Sequence, residues 1–200
     1  MTSHYFSEHP DTASNARAME VTIRGRDYSV TVDDGVFSGN GLDKGTAVLL
    51  RKVPEPELEP GDIAVDLGCG WGPITLALAA ETPRVIGVDV NERARELTRI
   101  NLEANGLHGD VLTPGEALER LGEKSIRLLW SNPPIRIGKA ALHELLATWL
   151  DRLAADGEAY LVVQKNLGAD SLAAWLAGEG YLCEKIGSSK GFRVLRVRRS

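Results

Sequence analysis

At 200 residues the chain has the length of one domain and can bury a sizeable core. Hydrophobic residues make up 43% and charged residues 26%, which excludes a disordered or fibrous chain, and a net charge of −5 excludes a surface that binds polyanions throughout. Cys69 and Cys183, the only two cysteines, exclude a disulfide framework and offer no metal-ligand spacing, so no metal is expected.

Residues 1–60 read as an N-terminal extension. Within it Met19 to Arg24 and Tyr28 to Val32 alternate apolar and polar residues around Gly25-Arg26-Asp27, the pattern of a short hairpin. Gly35 to Gly45 is glycine-rich and loop-like, Thr46 to Val53 reads as a short apolar helix, and Pro54 to Pro60 is a proline-spaced connector. From residue 61 to 200 strands and helices alternate. Strands are expected at Ile63–Asp66, Arg84–Asp89, Asp110–Leu112, Ile126–Trp130 and Ala159–Val163. Helices are expected at Gly72–Ala80, Glu92–Asn105 with Gly106 beyond its end, Lys139–Ala155 and Ser171–Gly178. Tyr181–Ile186 and Phe192–Val197 are joined by too few residues for a parallel crossover, so the last strand should run antiparallel. The expected fold is therefore α/β: a Rossmann-like, doubly wound sheet of seven strands, mostly parallel, with helices on both faces.

No signal peptide is expected from Met1 to Tyr5 and no apolar run reaches the length of a membrane span, so a cytoplasmic protein without a membrane partner is expected. Beyond Glu184 every charged residue is basic, which is either a solvated edge or a nucleic-acid contact.

Asp66-Leu67-Gly68-Cys69-Gly70-Trp71-Gly72 follows the first parallel strand and opens a helix. Glycines there let a backbone approach a ligand, and Asp89 ends the next strand, where an acid grips ribose hydroxyls. A tight strand–helix turn with no ligand is the plain structural alternative. A nicotinamide cofactor and S-adenosylmethionine compete for such a site. A carboxylate at Asp66 repels a pyrophosphate and suits a cofactor with an ammonium and a sulfonium.

Ser131-Asn132-Pro133-Pro134 follows the apolar run Ile126 to Trp130. Two prolines cannot continue a central strand, and Pro133 pushes Asn132 into an extended conformation. The result is a stiff corner carrying one amide and acceptor carbonyls, which suits a substrate that offers an NH2 group. His4, His9, His108 and His143 are scattered, and none is assigned as a catalyst.

With Asp66-Leu67-Gly68-Cys69-Gly70, Asp89 and Asn132-Pro133-Pro134 together, the chain resembles the class I S-adenosylmethionine-dependent methyltransferases that modify amino groups. More narrowly it resembles the RsmC type, small-domain enzymes acting on the N2 amine of guanine in small-subunit ribosomal RNA. His4-Tyr5-Phe6, Gly35-Val36-Phe37-Ser38, Leu42-Asp43-Lys44-Gly45-Thr46, Ile135-Arg136 with Gly138-Lys139, Gln164-Lys165 and Gly191-Phe192-Arg193 carry that narrower likeness. The resemblance implies that Asp66 and the backbone of Gly68, Cys69 and Gly70 hold the methionine moiety. It implies that Asp89 binds the ribose and that Val90 and Asn91 lie beside the adenine. Gly115 stands where the adenine pocket normally has an acid or amide, with Glu116 as its substitute. Asn132, Pro133 and Pro134 would be catalytic, with Asn132 also beside the cofactor. Ile135 replaces the aromatic residue that often follows the prolines, so Phe37 is the candidate to cover the base; packing of the extension is its other reading. Arg136, Lys139 and Lys165 would contact RNA phosphates. Ribosomal RNA is the implied partner, and the chain is expected as a monomer or homodimer. A protein glutamine amide or an adenine N6 amine is the alternative substrate, and a nicotinamide-binding oxidoreductase the alternative class.

Overall fold

The computed structural model describes residues 15–38 and 41–200. His4-Tyr5-Phe6 and His9 lie outside the described residues. Strands β1 (Arg17–Ile23) and β2 (Arg26–Val32) form an antiparallel hairpin, followed by helix α1 (Lys44–Lys52). Then come β3 (Ile63–Leu67), α2 (Pro73–Glu81), β4 (Val85–Val88), α3 (Glu92–Ala104), β5 (Asp110–Leu112), α4 (Pro114–Arg120) and β6 (Ile126–Ser131). The chain closes with α5 (Lys139–Leu150), β7 (Leu153–Gln164), α6 (Ala169–Gly178), β8 (Tyr181–Ser189) and β9 (Phe192–Arg199).

The large sheet has seven strands in the order β5-β4-β3-β6-β7-β9-β8. All its pairings are parallel except those of β9, which runs antiparallel to both β7 and β8. The expected doubly wound fold is thus present. One face of the sheet carries a core shared by α2, α3, α1 and the hairpin, where Val30, Leu49, Trp71, Leu76 and Trp130 meet. The other face carries α4, α5 and α6, with Leu121, Leu146, Trp149 and Leu172 against Val65 and Leu129.

Several expectations are corrected. The hairpin turns at Arg24-Gly25, not at Gly25 to Asp27: both residues have positive φ, 50° and 78°, the geometry of a two-residue hairpin turn that matches strand twist. Helix α1 starts at Lys44 because Asp43 caps it, accepting the Gly45 and Thr46 N–H groups. A helix that was not expected, α4, follows β5 and takes in Gly115 and Glu116. Thr113 and Glu116 form a reciprocal capping box and Pro114 opens α4. Helix α5 ends at Leu150, and Leu153, expected on its apolar stripe, instead begins β7 and pairs with Ile126. Of the six basic residues beyond Glu184, three are paired: Arg193 with Asp170, Arg196 with Glu158 and Arg199 with Asp151.

The hairpin is bound to α3 by two asparagines. Asn101 donates to the Thr31 carbonyl (2.9 Å) and accepts from its N–H (2.7 Å); Asn105 does the same for Ser29 (2.9 and 3.1 Å). Four residues along a helix advance about 6 Å, close to the two-residue repeat of a strand. Arg24 at the hairpin tip binds the Leu50 and Val53 carbonyls of α1 and its end, and pairs with Glu81 of α2 at 2.7 Å. No helix among the described residues is long and apolar enough to cross a membrane.

Candidate active site

The order of the sheet reverses between β3 and β6, and a ligand crevice opens outside the carboxyl ends of strands at such a switch point. A cleft of about 340 Å³ lies there, a volume suited to a small organic ligand. Its walls include Gly68, Gly70, Asp89, Asn132, Pro133 and Pro134. The glycine loop and the proline corner, distant in sequence, therefore face one cavity.

Four of the five backbone N–H groups from Gly68 to Gly72 are already engaged. Gly68 and Cys69 donate to the Val88 carbonyl, Gly72 to the Cys69 carbonyl and Gly70 to Asp89 Oδ2 at 2.9 Å. Such a loop lacks the free N–H cradle that a pyrophosphate needs. Asp89 also accepts from Asn91 N–H at 2.9 Å, so its two oxygens are each fixed by one backbone donor and keep lone pairs for others. Burial raises the Asp89 pKa, against the opposing pull of the Asn91 and Gly70 N–H groups. Val90 and Asn91 line the cleft beside it; Asn91 is buried, caps α3 and donates to the Gly35 carbonyl.

Asp66 is not in the open crevice. It is fully buried in β3, with Oδ2 accepting the Thr75 hydroxyl at 2.6 Å and Oδ1 buried without a partner among the described residues. Burial pushes its pKa up to about 7, with Asp89 adding to the rise and Thr75 opposing it. The contribution of the protonated carboxyl to stability is fully present below about pH 4, the ordinary carboxylate range, and is lost as pH rises through about 7. Without ligand, wild-type Tm should fall from pH 5 to pH 8 by clearly more than that of Asp66→Asn. Thermal scans showing equal slopes would refute this.

At the corner, Asn132 Nδ2 donates to Asp43 Oδ2 (2.9 Å) and Thr46 Oγ1 (3.1 Å). Its oxygen is not buried, and no hydrogen bond engages it among the described residues. The Pro133 carbonyl, expected to be free, accepts the Ile135 N–H at 2.8 Å in a tight turn, and one lone pair remains. The corner thus presents acceptors from two successive residues.

Ile135 and Arg136 also line the cleft, as does Phe37, which is 43% exposed at its mouth. Lys139 and Lys165 do not line it; they are exposed at the start of α5 and the end of β7. Cys69 is buried behind the loop, and Glu116 is turned back into its capping box, where both Thr113 bonds hold its pKa down. Pro114 occupies the wall in its place. Asp43, Gln164, Leu167 and Phe192 line the cleft without having been singled out as site residues. Gln164 and Phe192 are register partners of β7 and β9. Because β9 runs antiparallel, its first residue, not its last, reaches the cleft. His143 stacks on Trp175 at 3.8 Å and His108 is exposed; neither lines the cleft. No cluster of metal-ligating side chains occurs among the described residues.

The uncharacterized protein YbxB of Bacillus subtilis (strain 168) is 34% identical over the full length of both chains. Ribosomal RNA small subunit methyltransferase C of Pseudomonas aeruginosa (strain LESB58) is 31% identical over 96% of this chain and 57% of its own length. Among solved structures, the T. thermophilus 16S rRNA N2 G1207 methyltransferase RsmC, in complex with AdoMet and guanosine, superposes with a TM-score of 0.78. It is 27% identical and is matched over 96% of this chain and 52% of its own. The chain thus spans about half the length of these methyltransferases. The sequence model of the methyltransferase small domain matches residues 27–196, from the hairpin to the last strand, and the chain belongs to that family.

Proposed function

We propose that this methyltransferase moves a methyl group from S-adenosylmethionine to the exocyclic N2 amine of guanine in small-subunit ribosomal RNA. The observation that carries the reading is Asn132, whose NH2 is tied back to Asp43 and Thr46 so that only its oxygen meets the cleft.

The residues present fit the methyl donor. Asp66 is walled off from the cleft but adjoins Leu67, which lines it, and its buried, unpartnered oxygen suits an ammonium donor; the occupied N–H groups of the glycine loop disfavour a dinucleotide. Asp89 has lone pairs for two ribose hydroxyls, with Val90 and Pro114 as apolar walls for an adenine. When bound, the cofactor supplies an electrophilic methyl carried on a sulfonium.

An aromatic amine is a weak nucleophile because its lone pair is delocalised into the ring. Asn132 Oδ1 and the Pro133 carbonyl accept its two hydrogens, turn the lone pair toward the methyl donor and stabilise the positive charge that develops on nitrogen. No strong base is needed, because the alkylated nitrogen loses its proton readily. Phe37, Leu167 and Phe192 give the cleft apolar surface against which a base can pack, which offsets the missing aromatic ring at Ile135. Arg136 on the rim, with Lys139 and Lys165 outside it, serves RNA phosphates.

The names of the methyltransferases of Pseudomonas and T. thermophilus support the RNA and the N2 position. The test is direct. Purified protein, S-adenosylmethionine labelled on the methyl, and small-subunit RNA or the subunit itself should yield N2-methylguanosine after digestion. Label recovered in N6-methyladenosine or in protein would overturn the reading.

A further inference from the structure

The Asn132 amide is held by a segment 89 residues away. We propose that Asp43, assisted by Thr46, is the positioning residue that decides which atom of the Asn132 amide a substrate meets; this rests on the reading of the corner as the amine site.

An amide group offers an oxygen on one side and an NH2 on the other, and rotation about its last bond exchanges them. A carboxylate only accepts hydrogen bonds, so an amide beside it must present nitrogen. Asp43 is itself pinned. Its Oδ2 accepts Gly45 N–H at 2.7 Å and Thr46 N–H at 3.0 Å from the first turn of α1, and then Asn132 Nδ2 at 2.9 Å. The second amide hydrogen goes to Thr46 Oγ1 at 3.1 Å. Both amide hydrogens are engaged, and the oxygen alone is left for the cleft. Turning the amide over would set oxygen against carboxylate and break both bonds.

Gly45 shows how closely this start of α1 is fitted. A Cβ there would lie 2.9 Å from Asp43 Oδ2 and 2.9 Å from Phe192 Cε1. The first turn of α1 is therefore wedged between the carboxylate and an aromatic ring of the cleft. Capping α1 needs only the two backbone donors. The third bond, to Asn132, is what a cap does not require.

Two substitutions separate capping from positioning. Asp43→Ser keeps an N-cap hydroxyl but is too short to reach Asn132 while holding the helix. Asp43→Asn keeps a cap and an acceptor of the original length. The Asn132 side-chain amide signals in 15N-labelled protein, assigned by their loss in Asn132→Ala, should exchange slowly in wild type and Asp43→Asn and fast in Asp43→Ser. In methyl transfer, Asp43→Ser should lose about 10²-fold in kcat with unchanged cofactor affinity, the scale expected for a misplaced catalytic group, and Asp43→Asn should recover most of it. Unaltered amide exchange in Asp43→Ser, or full kcat in that variant, would overturn the proposal. The exchange comparison decides it without any substrate. Absence of methyl transfer by the wild type would overturn the reading of the corner instead.

Discussion

Asn132→Ala is expected to lower kcat by about 10²- to 10³-fold and to leave S-adenosylmethionine binding within a few-fold of wild type. The magnitude is that of removing one preorganised hydrogen-bonding group from a site of developing charge. Alanine takes away the one side-chain acceptor at the corner and leaves the Pro133 carbonyl with its Ile135 bond intact. The backbone geometry is held by the prolines and should persist. Asp43 loses a donor but lines the open cleft, where water can replace it, and the buried Thr46 hydroxyl loses one bond. Single-turnover methyl transfer with saturating RNA, beside calorimetry with the cofactor, separates the two effects. Retained kcat would remove Asn132 from the chemistry, and a matching loss of cofactor affinity would make it a binding residue only.

Asp89→Ala should produce the opposite profile: cofactor affinity weaker by about 10²-fold or more, with a lower Tm even without ligand. Hydrogen bonds to a charged group are worth about 1.5–3 kcal/mol each, and two hydroxyl donors would be lost. The stability loss has a separate origin. Asp89 holds the Gly70 N–H of the glycine loop and the Asn91 N–H at the start of α3, and alanine leaves both without that acceptor. Asp89→Asn keeps one oxygen for these roles and should fall between wild type and alanine. Calorimetry and thermal scans of the three proteins check the order. An alanine variant that binds S-adenosylmethionine normally would sink the ribose assignment.

Much of this site is local and could be read from residues alone. Pro133 and Pro134 dictate a corner at any strand end, and the spacing of Asp89 from the glycine loop places it on the neighbouring strand end. Two parts were readable and misread. Thr113 and Glu116 stand three apart, the signature of a capping box, and that spacing takes Glu116 away from the cleft. Leu153 continues the helical period of α5, yet it pairs with Ile126, because β7 begins six residues before its central apolar run at Ala159. Other parts carry no local signal. The bond between Asp43 and Asn132 exists only in the folded chain, and Phe192 reaches the cleft only because β9 runs against β7. The burial of Asp66 depends on Thr75, nine residues on, filling the space that Gly87 leaves open.

A two-stranded hairpin has two open edges, and each is a template on which another chain can add a strand. On the β2 side, Asn101 and Asn105 answer the Thr31 and Ser29 backbone groups as a neighbouring strand would. A stray segment would have to displace four hydrogen bonds to pair there. Resistance of the hairpin to edge-to-edge aggregation on this side is therefore written seventy or more residues away from it, in two amides on a helix. Across the solvent face of the hairpin, Glu20 and Thr22 of β1 bond the side chains of Ser29 and Asp27 of β2, which ties the two strands to each other.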